Sequence, residues 1–119
     1  WRPYHYVGLE LAQSIYSIAL DKKPTGYTKF FNADVVSVAK KDLASGEILD
    51  GEGGFASRGR LVASKDSIEG KFLPLGLSDG VKTKKSIKKD EFIKIDDVEI
   101  NWKQEVLKAR EYQTKILNK

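Results

Sequence analysis

The chain has 119 residues and a mass of 13.4 kDa, enough for one domain with a modest core, and its 40% apolar and 32% charged residues describe a folded but heavily solvated protein. It contains no cysteine, which excludes disulfides and thiolate metal sites. The net charge of +4 comes from 17 lysines and only 4 arginines against 17 acidic residues, a balance that argues against nucleic-acid partners because phosphate and guanine recognition favour the bidentate fork of arginine.

The N-terminal stretch WRPYHYVGLELAQ lacks the basic region and small-residue cleavage site of a signal peptide. No apolar run approaches the roughly 20 residues that span a bilayer, so the expectation is a soluble, cytoplasmic protein without a membrane partner. Methionine is absent even at position 1, and the chain reads as a piece of a longer polypeptide. Residues 1–32 are expected to form a helix and connector: Val7, Leu11, Ile15, Ile18 and Ala19 recur at helical spacing, and Pro24 and Gly26 in DKKPTG end the run.

Residues 33–100 change to short β-branched or apolar stretches, DVVSVA, GRLVAS, KFLPLGL, VKTKKSI and EFIKI, separated by the glycine-containing turns SGE, GEGG, EGK and SDG. This pattern predicts a mainly β core of short strands. Its densest lysine stretch, Lys82 to Lys94, holds Phe92 as its one aromatic residue, so it lacks stacking platforms for single strands and reads as the solubilising decoration of an edge strand. Residues 101–119 predict a second helix, with Asn101 as N-cap, Gln104 at the capping-box position, and Trp102, Val106, Ala109, Ile116 and Leu117 along one side. Both flanking helices are amphipathic, and each is expected to expose part of its apolar stripe.

Within the core, KKDLASGEILDG at 40–51 is echoed 44 positions later by KKSIKKDEFIKI at 84–95. The alignment matches an apolar residue, a four-residue turn and an apolar pair. It predicts two pseudo-equivalent arches, anchored by Leu43 or Ile87, turned by a left-handed Gly46 or Asp90, and returned to the core by Ile48 or Phe92. The segment GGFASRGRLVASKDSIEGKFLPLGL is the long excursion between them.

Few residues carry recognisable chemistry. His5 is the single histidine, and with no cysteine a zinc site would rest on one imidazole and carboxylates. Adjacent Asp96 and Asp97 would face opposite sides of a strand and cannot act as an acid/base pair; they are expected to end the last strand. Ser14 and Ser17 lie on the first helix with no base nearby. Arg58 and Arg60, spaced by Gly59, would share a face of an extended segment and could clamp a carboxylate or phosphate, although a solvated loop is the simpler reading. The only dense glycine cluster, Gly51, Gly53 and Gly54, precedes an extended stretch and reads as a turn; no strand followed by G-x-G-x-x-G and a helix is present.

VVSVAKKDLASGEILDGEGG followed by FLPLGLSDGVKTKKSIKKDEFIKIDDVEI resembles, over about 65 residues, the SAF domain. That β-clip module is shared by type III antifreeze proteins, sialic acid synthase, sugar-acid dehydratases and flagellar P-ring chaperones. With RPYHYVGLE ahead of a helix, and LPLGL, nearly the whole chain is similar to the C-terminal region of homoserine-dehydrogenase-like NAD(P)-dependent oxidoreductases, the group related to deoxyxylulose-phosphate reductoisomerase. The resemblance implies a β-clip core flanked by the two helices, packed on catalytic domains outside this sequence and shaping an active site or a homo-oligomer interface. It places NAD(P) in a separate Rossmann domain, with no catalytic, cofactor or metal residue in this stretch. Arg2 and His5 would then lie at the junction with the substrate domain, with His5 as a general acid or a ligand to an anionic substrate group, and they and Arg58 and Arg60 are the candidate substrate or interdomain contacts; a packed, hydrogen-bonded junction of Tyr4, His5 and Tyr6 is the simpler reading. A free-standing module that binds a sugar or sugar acid is the alternative.

Overall fold

The computed structural model describes residues 7–26, 30–100 and 105–117. In chain order these form helix α1 (Val7–Asp21), strands β1 (Ala33–Ala39), β2 (Ile48–Asp50) and β3 (Ser57–Ala63), helix α2 (Ser64–Glu69), strands β4 (Asp79–Thr83) and β5 (Val98–Glu99), and helix α3 (Glu105–Leu117). The architecture is mixed α/β rather than mainly β: three helices accompany two small antiparallel sheets, one of order β1-β3 and one of order β2-β4-β5.

The echoed segments form one interlocked unit. Leu43 and Ile87 face each other in an isolated antiparallel bridge, the Leu43 N–H donating to the Ile87 carbonyl at 2.8 Å and the Ile87 N–H to the Leu43 carbonyl at 3.0 Å. Each arch is also bonded to the strand that leads into the other. Gly46 N donates to Thr83 O at 2.8 Å and Thr83 N to Glu47 O at 2.9 Å, while Asp90 N donates to Ala39 O at 2.9 Å and Ala39 N to Glu91 O at 3.0 Å. The donors and acceptors of the second set are those of the first shifted by 44 positions, which is a local two-fold relation. Gly46 and Asp90 both adopt the left-handed conformation, at φ 87° and 67°. Only glycine reaches it without cost, and aspartate is among the few side chains that tolerate it.

Sequence reading gave the glutamates of the echo no role, but each closes its own turn. A side-chain oxygen of Glu47 accepts the Ala44 N–H at 3.0 Å, and one of Glu91 accepts the Lys88 N–H at 3.0 Å. In the first arch the Thr83 hydroxyl, inside the core, donates to Ala44 O at 2.7 Å and accepts from Glu47 N at 3.0 Å. Ala39 holds the corresponding place in the second.

A second repetition, at a spacing of 20, was not apparent in the sequence. Phe72–Pro74 and Phe92–Lys94 are extended segments rather than full strands, and each runs into a 3-10 turn, Leu75–Leu77 or Ile95–Asp97. Equivalent bonds close the turns, Leu77 N to Pro74 O and Asp97 N to Lys94 O, both at 3.0 Å. Asp96 and Asp97 therefore sit in a 3-10 turn ahead of β5 instead of ending a strand. Together with β1 the two segments form a triangle of bonds: Ser37 N to Leu73 O, Leu73 N to Ile93 O, and Ile93 N to Ser37 O, at 2.8, 2.8 and 2.9 Å. Around it the core cluster of Leu43, Leu49, Leu73, Ile87, Ile93 and Val98 is closed to solvent, so the residues that return the arches to the core are Leu49 and Ile93, one position beyond the expected Ile48, which is 64% exposed, and Phe92, which is half-buried.

Helix α2 lies within the excursion between the arches, where extended chain was expected. Its six residues end where Gly70 N bonds back to Asp66 O at 2.9 Å and Lys71 turns left-handed at φ 51°. Helix α1 matches its predicted span; the Ser17 hydroxyl donates to Lys23 O at 2.9 Å, and Lys22 turns the chain at φ 56°. None of its described side chains is buried, and its apolar stripe is open, with Leu11 57%, Ile15 55% and Ile18 60% exposed.

Helix α3 is rotated relative to the stripe drawn from the sequence. Among its described side chains Leu107 is the buried one, at 3% exposure, whereas Val106 is 53% and Ile116 46% exposed. The cause is Arg110, which pairs with the carboxylate of Asp34 on β1 and turns the Leu107–Arg110–Thr114 face inward. The capping proposals for Asn101 and Gln104, and the place of Trp102, lie outside the described residues.

Candidate functional site

Strand β3 pairs with β1 in unbroken register, setting Arg58 opposite Val38 and Arg60 opposite Val36. Alternation puts both arginines on one face, as their spacing predicts, and on a strand rather than a loop. Both reach the second arch. The Arg58 guanidinium lies 3.0 Å from the Asp90 carboxylate, and that of Arg60 sits 5.2 Å above the ring of Phe92, which stacks on Phe72 at 4.4 Å. Arg58 and Asp90 are both solvent-accessible, so their pair contributes at most about 1 kcal/mol and remains open to exchange for another carboxylate. Arg2 and His5, the other candidate contacts, lie outside the described residues.

Sequence reading missed a groove between α2 and α3, with a cavity volume of about 320 Å³. Ile68, Phe72, Pro74 and Ile95 supply its apolar floor; Lys71, Arg110 and Lys115 bring cations to its rim. One wall is fixed by Asp34, which is nearly buried. Its carboxylate accepts the Ser67 hydroxyl at 2.5 Å and pairs with Arg110, whose guanidinium also lies 4.7 Å over Phe31. Partners 33 and 76 positions apart leave no local pattern by which a sequence could announce them. Chemically the groove suits a small amphipathic or anionic ligand. The Ser67 hydroxyl gives its proton to a carboxylate already held by an arginine, which is not the arrangement of an activated nucleophile.

The glycine cluster folds as a turn, as its sequence suggests. Gly51 and Gly53 have positive φ, and the Asp50 carboxylate fills the concave side, accepting Phe55 N at 2.5 Å and Ala56 N at 2.9 Å. The Lys40 ammonium donates to Gly54 O. A β-carbon on Gly54 would meet that carboxylate at 2.2 Å, so a larger residue there requires the Asp50 side chain to shift from its bonds to Phe55 N and Ala56 N. The amides of Phe55 and Ala56 hold the Asp50 carboxyl below its usual range. The loop then enters β3 rather than a helix. A dinucleotide pyrophosphate, which needs free amides at a helix N-terminus, does not fit this turn, because an internal anion already occupies the amides.

Charge elsewhere on the arches is paired at the surface. Lys41 bonds Glu47 at 2.7 Å, Lys85 bonds Asp97 at 2.8 Å, and Lys88 bonds Asp42 at 3.0 Å. The hydrogen bond from Lys41, then that from Ala44 N, lowers the pKa of Glu47. That from Lys89 N, then that from Lys88, lowers the pKa of Asp42. The three lysines are raised by their carboxylate partners. Among the described residues no helix is long and apolar enough to cross a membrane.

Compared with known proteins, the chain matches no protein-family model, and a search of curated proteins gives no match either.

Proposed function

We propose that this chain is a non-catalytic accessory module of the β-clip (SAF) type that packs on further polypeptide, in the manner of the C-terminal domain of a cytoplasmic, homoserine-dehydrogenase-like NAD(P)-dependent oxidoreductase. The observation that carries the reading is α1. A 15-residue helix is marginally stable alone in water, yet this one leaves its whole apolar stripe uncovered. A partner surface that buries Leu11, Ile15 and Ile18 supplies the missing stabilisation. The interlocked arches support the β-clip assignment, since they make one compact scaffold from a duplicated bend. The oxidoreductase assignment rests on the resemblance of the sequence. In that setting the nicotinamide cofactor is held outside this stretch, the module contributes shape at the active site, and the exposed stripes of α1 and α3 serve domain or homo-oligomer contacts.

The test is amide exchange on α1 in this chain alone and in the full polypeptide encoded by its gene. Protection of α1 should rise sharply in the longer protein, and the isolated chain should show no saturable binding of NADH or NADPH. Equal protection in both, or cofactor binding by the isolated chain, would refute the proposal.

The groove favours a second reading, a module that binds a sugar acid. Phe72 offers an apolar face while Lys71 and Lys115 offer charge for a carboxylate. Titration with aldonic and uronic acids, followed through the amide shifts of Ile68, Phe72 and Thr114, distinguishes the two: saturable shifts at these positions favour the second reading.

A further inference from the structure

Strand β3 has one partner among the described residues, β1, and its other edge is open. Which backbone groups face outward follows from bonds on the far side of β1. Ser37 and Ala39 direct their N–H and C=O groups away from β3, to Leu73, Ile93, Glu91 and Asp90. Alternation then turns Val36 and Val38 toward β3, makes Val36–Arg60 and Val38–Arg58 the hydrogen-bonded pairs, and directs the backbone groups of Gly59 and Leu61 to the open edge; Ser57 shares their parity but is buried, so the accessible edge begins at Gly59. Ala56 O accepting from Lys40 N, and Ser64 N donating to Asn32 O, fit the same parity at both ends. The N–H and C=O groups of Gly59 and Leu61, both exposed, have no backbone partner among the described residues.

Edge strands are ordinarily blunted by proline, charged side chains, a bulge or a short length, and on β3 the charges Arg58 and Arg60 are the one such device, which restricts the edge to partners that neutralise them. Strand β3 runs for seven residues, SRGRLVA, without proline, lysine or a break in register, whereas the β2–β4 pairing carries a shift between Ile48 and Asp50. Its two faces differ in chemistry. Arg58 and Arg60 stand on one; on the other Leu61 is 70% exposed and its cross-strand neighbour Val35 is also open.

We infer that the open edge of β3 is a docking site for an extended acidic segment of another protein, added as an antiparallel strand with carboxylates two residues apart and apolar residues between them. A strand bonded to Gly59 and Leu61 sets the residues on either side of the one facing Gly59 opposite Arg58 and Arg60 in non-hydrogen-bonded pairs, where facing side chains lie closest. Carboxylates there meet two guanidinium groups, and Arg58 exchanges an exposed partner for one aligned across the strand. The apolar residues of the segment cover Leu61 and Val35. A second copy of this chain is the poorer occupant. Antiparallel pairing of β3 with itself about Gly59 sets Arg58 against Arg60, and pairing about Arg60 sets that residue against itself, like charges directly opposed in both cases.

The probe is a fluorescein-labelled peptide of alternating valine and glutamate, seven residues long, titrated against the full chain by anisotropy while amide exchange of Gly59 and Leu61 is recorded. Saturable binding is expected, with slowed exchange at both amides. The double variant R58E/R60E should weaken binding by at least about tenfold, and a peptide with lysine for glutamate should not bind. A peptide N-methylated at alternate residues keeps its charge but cannot complete the ladder, and it should also fail. Equal binding by the N-methylated peptide, indifference to R58E/R60E, or no binding by the acidic peptide would each overturn the inference. Protection of Gly59 and Leu61 that rises with protein concentration alone would assign the edge to a second copy and overturn it as well.

Discussion

The two arches follow the same backbone path by different chemical means. The first has glycine at its left-handed position, the aliphatic stem of Lys82 alongside, and the Thr83 hydroxyl plugged into the turn from the core. The second has Asp90 at the left-handed position, Ala39 in place of the threonine, and two arginines of β3 holding its outer surface through Asp90 and Phe92. What they share is what fixes the path: an apolar anchor, a glutamate that closes the turn, and reciprocal bonds to the strand that leads into the other arch. Neither arch can form fully until the other's lead-in strand is in place, so the pair should behave as one cooperative unit.

Substitutions can break that comparison, the largest effects first. Leu43→Ala and Ile87→Ala each delete a buried anchor and should cost about 2–5 kcal/mol in denaturant unfolding. Because the two residues are bridged, the double variant should depart from the sum of the singles. Thr83→Val keeps shape but removes the hydroxyl bonds to Glu47 N and Ala44 O, leaving these two only their long 3.3 Å bond to each other, and should cost about 1–3 kcal/mol. The second arch, with alanine at the equivalent place, has no such group to lose.

The left-handed positions sharpen the comparison. Gly46→Ala should cost about 1–2 kcal/mol, since the nearest atom to the added methyl is at ordinary contact distance and backbone strain is the main penalty. Asp90→Gly should be close to neutral, because relief of strain is offset by the larger freedom of glycine in the unfolded chain. A large loss at Asp90→Gly would show that its pairing with Arg58 matters more than an exposed ion pair should.

The smallest effects are electrostatic. Asp42, Glu47 and Asp50 have lowered pKa values in the folded state, so their contribution is present above the unfolded pKa and lost as pH falls through the folded one. Lys41, Lys85 and Lys88 are raised, so theirs is present below the unfolded lysine pKa and lost as pH rises through the folded one. The urea midpoint should therefore be flat near neutrality and fall below about pH 4. A midpoint that rises on acidification would contradict the pairing described.

Much of this arrangement was legible in the sequence because its causes are local. The echo at a spacing of 44 marked both arches, Gly46 and Asp90 were assigned their left-handed conformation, and α1 was bounded by Pro24 and Gly26 beyond its last turn. The pairing of Arg58 and Arg60 on one face followed from alternation. The failures share a different cause. Helix α2 is too short for a periodic signal, and the groove it lines depends on Asp34, Ser67 and Arg110 meeting across long sequence separations. The inward face of α3 is not legible from its apolar stripe because it carries the partly buried Arg110–Asp34 pair, whose members lie far apart in sequence. The repetition at a spacing of 20 is hard to see because it is short: Phe72-Leu73-Pro74-Leu75 and Phe92-Ile93-Lys94-Ile95 match in side-chain character at three of four positions, and the bonds that make them equivalent run to β1 and to each other.

The interdependence of the arches is tested most directly by native-state amide exchange at Leu43, Gly46, Ile87 and Asp90, in the parent chain and in Gly46→Ala. If each arch is held by the other's lead-in strand, all four amides should exchange through one opening, and the substitution in the first arch should lower protection in both by the same factor. Loss of protection confined to Leu43 and Gly46, with Asp90 unchanged, would show two independent turns and contradict the interlocked scaffold.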